Sequence, residues 1–180
     1  MRLFIAATLP PELVRDLTAI QAQLAKADVE LRWVPKENMH ITLSFLGEKT
    51  EDDLEKIKFD LATLDMPESS IVVRINKLEI FPRMDEPRVI VVTLLNEDTG
   101  LAQLGEQLTD RLGGSFNSPH ITLGRFSKSH TRSDAVEILS SEVVMPDKRY
   151  EIREIGLYES ELTGAGPAYT QLQHLKLSKR

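Results

Sequence analysis

Alternating and helical patterns of apolar residues divide the chain into short strands and amphipathic helices. The run from Leu3 to Leu9 predicts a buried strand, and Pro10-Pro11 then opens a helix, since proline is tolerated in the first helical turn. Further helices are predicted at 54–64, 101–112 and 133–140, and further strands at 31–34, 39–46, 71–81, 88–95, 119–126, 150–159 and 168–177. Short loops join these segments, which indicates one α+β unit over residues 1–180.

The order of these elements occurs twice, and the tetrapeptide His-Ile-Thr-Leu marks the same place in each copy. It stands at 40–43 and again at 120–123. Each tetrapeptide follows a strand and a leucine-faced helix, and each precedes a second helix and another strand. Two occurrences among only four histidines indicate a divergent internal duplication, with copies at about 1–82 and 88–159. A duplicated chain of this kind predicts a fold with pseudo-twofold symmetry.

The tetrapeptide places a histidine and a threonine on one face of a strand. Residues i and i+2 of a strand point to the same side, so His40 shares a face with Thr42, and His120 with Thr122. Because a symmetric fold tends to bring equivalent residues together, we expect the two pairs to meet at a shared cleft. The neighbouring residues that are expected to point the other way, into the core, are Ile41, Leu43, Phe45, Ile121 and Leu123.

Composition narrows the chemistry that two histidine–threonine pairs can perform. The chain has no cysteine, which excludes disulfides and thiol nucleophiles. Its net charge of −6 argues against non-specific coating of nucleic acid, but not against a local basic pocket. Paired imidazoles suit displacement at a phosphodiester, because one can take a proton from the attacking hydroxyl or water while the other protonates the leaving oxygen. Threonine hydroxyls can donate to the phosphate oxygens, so this chemistry requires no metal or other cofactor.

Two other interpretations of the paired histidines remain open. One is a metal site built from His40, His120 and a carboxylate, although neither histidine has a partner at the HxxxH or HExxH spacing. The other is a module that only binds a nucleotide or an RNA end, although arginine or lysine binds phosphate better at neutral pH. His130 and His174 are expected to be surface or structural residues.

The segments HITLSFLG and PHITLGRF resemble the two HxTx motifs of the 2H phosphoesterase superfamily. The flanking segments RLFIAATLPPEL, RWVPKENMHITLSFLGE and LYESELTGAGPAYTQLQHLKL are similar to the RNA 2′,3′-cyclic phosphodiesterases, also named 2′-5′ RNA ligases. The resemblance implies a bilobal α+β fold in which two antiparallel sheets flank a central cleft and the helices lie outside. It implies hydrolysis of RNA 3′ ends bearing a 2′,3′-cyclic phosphate to a 2′-phosphomonoester, without cofactor or metal. In some members it also implies 2′-5′ joining of tRNA halves.

The same resemblance implies a role for each motif residue. His40 would be the proton donor to the leaving 3′ oxygen, and His120 the proton acceptor that activates water. Thr42 and Thr122 would hold the phosphate. A small cyclic phosphate such as ADP-ribose 1″,2″-cyclic phosphate is the alternative substrate within the superfamily.

Arg125 is a further candidate for substrate binding. It stands where the family often has arginine, and a guanidinium suits a phosphate or a base. Strand parity nevertheless places Arg125 on the face opposite to His120, unless the strand bulges at Gly124. The aromatic residues that could stack on a base, each also explained as a core residue, are Phe45, Trp33 and Tyr158.

The N-terminal segment MRLFIAATLPPELVRD indicates where the protein resides. Its apolar run ends at Pro10-Pro11 and is too short for a secretory signal, and no other stretch is apolar for the length that a membrane span needs. We therefore expect a cytoplasmic monomer, with RNA ends as its partners and with no membrane or protein partner.

Overall fold

The computed structural model describes residues 1–67, 69–96, 99–164 and 166–177. These residues form four α-helices, nine strands and one 3-10 turn at Lys36–Asn38. The helices are α1 (Pro11–Leu24), α2 (Glu51–Ala62), α3 (Gly100–Leu112) and α4 (Arg132–Leu139). The strands are β1 (Arg2–Ala7), β2 (Arg32–Trp33), β3 (Ile41–Glu48), β4 (Ile71–Arg83), β5 (Glu86–Asn96), β6 (His120–Arg125), β7 (Tyr150–Ile152), β8 (Glu154–Thr163) and β9 (Gly166–Lys176).

The strands form two antiparallel sheets. The two copies exchange strands, so that each sheet contains strands of both copies. The β1 sheet has the order β3-β1-β8-β9, and the β5 sheet has the order β2-β6-β5-β4-β7. Strand β1 of the first copy pairs with β3 of the same copy and with β8 of the second, whereas β5 of the second copy pairs with β6 of the same copy and with β4 of the first. The predicted α+β class, the pseudo-twofold duplication and the two flanking sheets are confirmed.

In each copy, the first helix packs on the sheet that does not contain the strand before it. Helix α1 follows β1 in the chain but lies on the β5 sheet, where Gln21 Nε2 donates to the carbonyls of Val34 (2.9 Å) and Leu123 (2.8 Å). Helix α3 follows β5 but contacts β3, where Ser44 Oγ donates to the Gly113 carbonyl at 3.3 Å. The helices therefore cover the two sheets and tie the copies together.

The helices lie at the predicted places in the chain, although α2 begins three residues earlier than predicted. Pro11 occupies the first turn of α1, and a capping box starts α2: the Asp53 N–H donates to Thr50 Oγ1 (3.1 Å) and the Thr50 N–H donates to Asp53 Oδ2 (3.0 Å). Such a cap contributes about 1 kcal/mol. Helix α3 ends at Gly113, whose φ of +75° suits glycine. No helix within the described residues has the length and apolar character of a membrane span.

The single strand predicted at 150–159 is wrong, because this segment holds two strands of different sheets. Strand β7 pairs with β4 through Ile152 and Ile71, whereas β8 pairs with β1. Arg153 lies between them, and its carbonyl accepts from the Leu177 N–H at 2.8 Å. The change of sheet leaves no mark in the apolar pattern, since both strands bury their alternate residues: Tyr150, Ile152, Ile155 and Leu157.

Candidate active site

The two histidine–threonine pairs border one cavity between the sheets. Strand β3 lies at the edge of the β1 sheet, and β6 lies beside β5 in the other sheet. The cavity has a volume of about 230 Å³, and its walls include His40, Thr42, His120 and Thr122. The structure therefore brings together the four residues that the repeated tetrapeptide singles out.

Each of these histidines is held by the carbonyl of the residue two positions before it. His40 Nδ1 lies 2.7 Å from the Asn38 oxygen, and His120 Nδ1 lies 2.7 Å from the Ser118 oxygen. Because a carbonyl only accepts, each Nδ1 carries a hydrogen and donates it. In the neutral ring Nε2 is then the basic nitrogen, and in the charged ring Nε2 holds the proton that can be given away. The backbone thus sets the same tautomer in both copies.

Aromatic rings hold the two imidazoles in place. The ring centroid of His40 lies 5.1 Å from that of Phe4 and 5.3 Å from that of Tyr169, which meets it edge-on. The His120 ring lies 5.1 Å from Phe81, also edge-on. Packing of this kind restricts ring rotation, which keeps each Nε2 in a defined position. Tyr169 comes from β9 and was not singled out by the sequence, since it follows no motif.

Burial lowers the pKa of His40 below its ordinary value. The positive charges of His120 and Arg125 lower this pKa further, whereas the hydrogen bond to the Asn38 carbonyl opposes the shift. His40 Nε2 also lies 3.1 Å from Thr42 Oγ1. At neutral pH the free protein therefore favours a neutral His40, and an anion bound in the cavity would favour the charged ring again.

Phe45 borders the cavity, so its predicted place in the core is wrong. Consecutive residues of β1 pair with Thr42 and Ser44, which leaves Leu43 as the extra residue of a β-bulge. After the bulge the alternation is reversed, and Phe45 falls on the same face as His40. Its side chain is 36% exposed and lies in the cavity wall.

The second copy carries the same bulge, and there it brings Arg125 to the cavity. Consecutive residues of β5 pair with Thr122 and Gly124, so Leu123 is the extra residue. The alternative in which the strand bulges near Gly124 is therefore the one that the structure adopts. Arg125 borders the cavity at the position equivalent to Phe45, five residues after the histidine of its own copy.

Two further arginines lie around the cleft and were not singled out by the sequence. The Arg2 guanidinium lies 4.9 Å from the centroid of the Phe45 ring, and Arg32 is directly opposite Arg125 in the pairing of β2 with β6. No carboxylate in the described parts of the chain forms an ion pair with these three arginines. The cleft is thus cationic although the chain has a net charge of −6.

The remaining aromatic candidates differ in position. Trp33 is half-buried and forms part of the cavity wall. Tyr158 lies behind this wall, where it stacks on Phe4 with the ring centroids 5.4 Å apart. Only Trp33 and Phe45 of the predicted stacking residues therefore border the cavity.

The other two histidines lie outside this cavity. His174 Nε2 lies 3.0 Å from Glu154 Oε2 on the exposed side of β9. His130 belongs to the loop before α4, and its Nδ1 accepts from the Ser127 N–H at 3.0 Å. Among the described residues no three histidine, aspartate or glutamate side chains are close enough to share a metal ion. The carboxylate that a metal site would need beside the paired histidines is thus not found in the described ranges.

Comparisons with known proteins agree with this geometry. Residues 8–91 match the family model described as LigT like phosphoesterase. Over 178 residues the chain is 33% identical to the RNA 2′,3′-cyclic phosphodiesterase of Thermotoga maritima, and the aligned region covers 96% of this chain and 93% of that protein. The fold matches a crystal structure of a Thermus thermophilus protein with a TM-score of 0.83, at 27% identity over 98% of both chains.

A second solved structure extends the comparison. E. coli LigT, crystallised with 3′-AMP, matches with a TM-score of 0.74 at 25% identity, over 99% of this chain and 98% of that chain. The sequence relatives and the solved structures thus support the resemblance carried by the two HxTx motifs. The chain is an enzyme of the 2H phosphoesterase superfamily and belongs to its LigT-like family of RNA 2′,3′-cyclic phosphodiesterases.

Proposed function

We propose that this enzyme hydrolyses RNA 3′ ends that carry a 2′,3′-cyclic phosphate, leaving a 2′-phosphomonoester, by acid–base catalysis with His40 and His120. The observation that carries the proposal is the pair of imidazoles on one cavity, each with Nδ1 tied to a backbone carbonyl. This arrangement makes Nε2 the atom of each ring that can exchange a proton with the substrate, and at His40 this atom lies 3.1 Å from Thr42 Oγ1. The names of the sequence relatives support the same reaction.

The reaction moves one proton at each histidine. His120 Nε2 takes a proton from a water molecule as the water oxygen bonds to phosphorus. His40 Nε2, in its charged form, gives its proton to the 3′ oxygen as the bond between phosphorus and that oxygen breaks. The product keeps the phosphate on the 2′ oxygen, and exchange with solvent returns both rings to their starting forms.

The residues around the histidines stabilise the phosphate. Thr42 and Thr122 donate their hydroxyl hydrogens to the non-bridging oxygens, and the Arg125 guanidinium balances their negative charge. Phe45 offers an apolar surface to the terminal nucleoside. The phosphate anion also offsets the burial of His40, so the charged form that acts as acid is favoured once substrate is bound.

The direct test is an assay with an RNA oligonucleotide ending in 2′,3′-cyclic phosphate, in the presence of EDTA. We expect a 2′-phosphate product, identified by ³¹P NMR. His40→Ala and His120→Ala should each lower kcat by roughly 10²–10⁴-fold, because each removes one proton transfer. The circular dichroism spectrum should not change. His174→Ala is the matched control, since His174 lies outside the cleft, and should keep full activity.

Three results would contradict parts of this proposal. Tight binding of a 2′-phosphorylated nucleotide without turnover would favour a binding module, and loss of activity in EDTA would favour a metal-dependent reaction. A higher kcat/KM on ADP-ribose 1″,2″-cyclic phosphate than on RNA would change the substrate class. The proposal extends to 2′-5′ joining of tRNA halves, which reverses the same type of step, and a joined product from purified halves is the corresponding test.

A further inference from the structure

A second cavity lies next to the catalytic cleft and shares two arginines with it. Arg32 and Arg125 form part of its wall, together with Ser127 and His130 from the loop before α4. Both arginines also border the cavity of the paired histidines. The arginine pair therefore belongs to both cavities.

The position of the two arginines is unfavourable unless anions lie beside them. Arg32 and Arg125 are directly opposite each other in the register of β2 and β6. Like charges at opposed positions destabilise a sheet, and no carboxylate among the described residues forms an ion pair with either guanidinium. Glu30, which is exposed, borders the second cavity without neutralising them. A single phosphate in the catalytic cleft would not neutralise both arginines, so positive charge remains for a second anion.

His130 offers a hydrogen-bond donor to the second cavity. Its Nδ1 accepts from the Ser127 N–H at 3.0 Å, so the neutral ring carries its hydrogen on Nε2. Ser127 Oγ lies 2.7 Å from the same Nδ1, and the ring meets Phe126 edge-on with the centroids 5.4 Å apart. These contacts hold the imidazole in place and leave the Nε2 hydrogen for a ligand oxygen.

We propose that this second cavity, the upstream phosphate site, binds the phosphodiester that joins the terminal nucleotide to its 5′ neighbour. The inference rests on the proposed function, because it assumes a cyclic phosphate between the paired histidines. A phosphate on the 5′ oxygen of the same ribose is then one sugar away, with the arginine pair between the two phosphates. His130 Nε2 and the Arg32 guanidinium donate to the upstream phosphate. The enzyme should therefore prefer an RNA chain to a free nucleoside cyclic phosphate.

The test compares adenosine 2′,3′-cyclic phosphate with the same compound carrying a 5′-phosphate. We expect the 5′-phosphate to raise kcat/KM about tenfold, because it adds charge-assisted hydrogen bonds. His130→Ala should abolish this preference and leave the rate on the unphosphorylated compound unchanged. The control His174→Ala removes a histidine that lies outside both cavities, and it should change neither rate.

A second variant gives a result that misfolding cannot imitate. Glu30→Gln removes a negative charge from the wall of the upstream phosphate site. It should raise kcat/KM on the 5′-phosphorylated compound by about two- to threefold, since the Coulomb interaction at an exposed position is weak. The rate on the compound without a 5′-phosphate should not change.

Binding of products separates this inference from the proposed function. Adenosine 2′,5′-bisphosphate should bind about tenfold tighter than adenosine 2′-phosphate by calorimetry, and His130→Ala should remove the difference. Equal affinities and equal kcat/KM values for the two members of each pair would overturn the upstream phosphate site and leave the proposed function standing. Failure to hydrolyse the RNA oligonucleotide ending in 2′,3′-cyclic phosphate would overturn the proposed function, while the binding ratio would still decide on the site.

Discussion

At His40, burial and a single hydrogen bond act in opposite directions on one proton. Burial and the neighbouring positive charges favour the neutral ring, whereas the Asn38 carbonyl favours the charged one. The net effect lowers the pKa, so the free enzyme holds this proton more weakly than an exposed histidine would. A substrate phosphate bound as proposed would change this balance, because it would bring a negative charge into the same cavity.

The lowered pKa of His40 can be measured by NMR titration of its ring signals. We expect a midpoint below the ordinary value of about 6.5 in the free protein. Arg125→Met should raise this midpoint, because it removes a positive charge that disfavours the charged ring. Arg88→Met is the control: Arg88 pairs with Glu86 and should leave the midpoint unchanged. A midpoint at or above the ordinary value would contradict the effect of burial.

The same shift sets the sign of the pH dependence of catalysis. As the proposed acid, His40 must carry its proton when the free enzyme meets substrate, so kcat/KM should fall as pH rises through the lowered pKa. Arg125→Met should move this descending limb to higher pH while lowering kcat/KM at every pH. A descending limb that moves to lower pH in this variant would contradict the assignment of His40 as the acid.

At the scale of the element, the two bulges mark where prediction from sequence succeeds and where it fails. Alternation placed the histidine–threonine pairs on one face, because these residues precede the bulge in each strand. It failed at Phe45, which follows the bulge at Leu43. Leu43 and Leu123 are apolar like the core residues before them, so the apolar pattern marks neither bulge, and only Gly124 indicated that the second strand could bulge. A backbone irregularity that keeps the apolar pattern is visible only in the pairing register.

Helix α3 contains a glycine that its packing requires. A Cβ atom added to Gly105 would lie 2.5 Å from Cδ2 of Phe116. Alanine usually stabilises a helix interior by about 0.5–1 kcal/mol, but overpacking costs about 1–3 kcal/mol. We therefore expect Gly105→Ala to lower the free energy of unfolding by about 1 kcal/mol, measured by denaturant titration.

A double-mutant cycle provides the control for this substitution. Phe116→Ala removes the ring that the added methyl group would meet. In that background Gly105→Ala should become stabilising, and a destabilising effect of similar size in both backgrounds would contradict the clash. Ser115, next to Phe116, pairs with Phe45 through hydrogen bonds of 2.8 and 3.1 Å. The clash should therefore also disturb the cavity wall at Phe45.

For the whole molecule, the exchange of strands makes each half depend on the other. Strand β4 pairs with β5 across the boundary between the copies, and β1 pairs with β8. The repeated tetrapeptide was enough to predict two related halves. It was not enough to predict the exchange, because exchanged and unexchanged arrangements have the same order of elements along the chain.

Separate fragments test this dependence. Fragments 1–84 and 85–180, cut at the turn between β4 and β5, should each lack cooperative thermal unfolding by circular dichroism. The first fragment lacks the inner strands β5 and β8, and the second lacks the inner strands β1 and β4. An equimolar mixture should regain a cooperative transition. Cooperative unfolding of either fragment alone would show that the halves are independent domains.

The exchanged strands also explain how a symmetric scaffold can hold an asymmetric reactant. Two identical chains, each with the strands and helices of one half, would form a twofold homodimer around the same cleft. The two walls of that cleft would then be identical. Joining the halves in one polypeptide lets equivalent positions diverge, and here Phe45 faces the cleft on one side and Arg125 on the other. A nucleotide entering this cleft would therefore meet two different walls and be held in one orientation, which would give each of the two otherwise equivalent histidines the single role proposed for it.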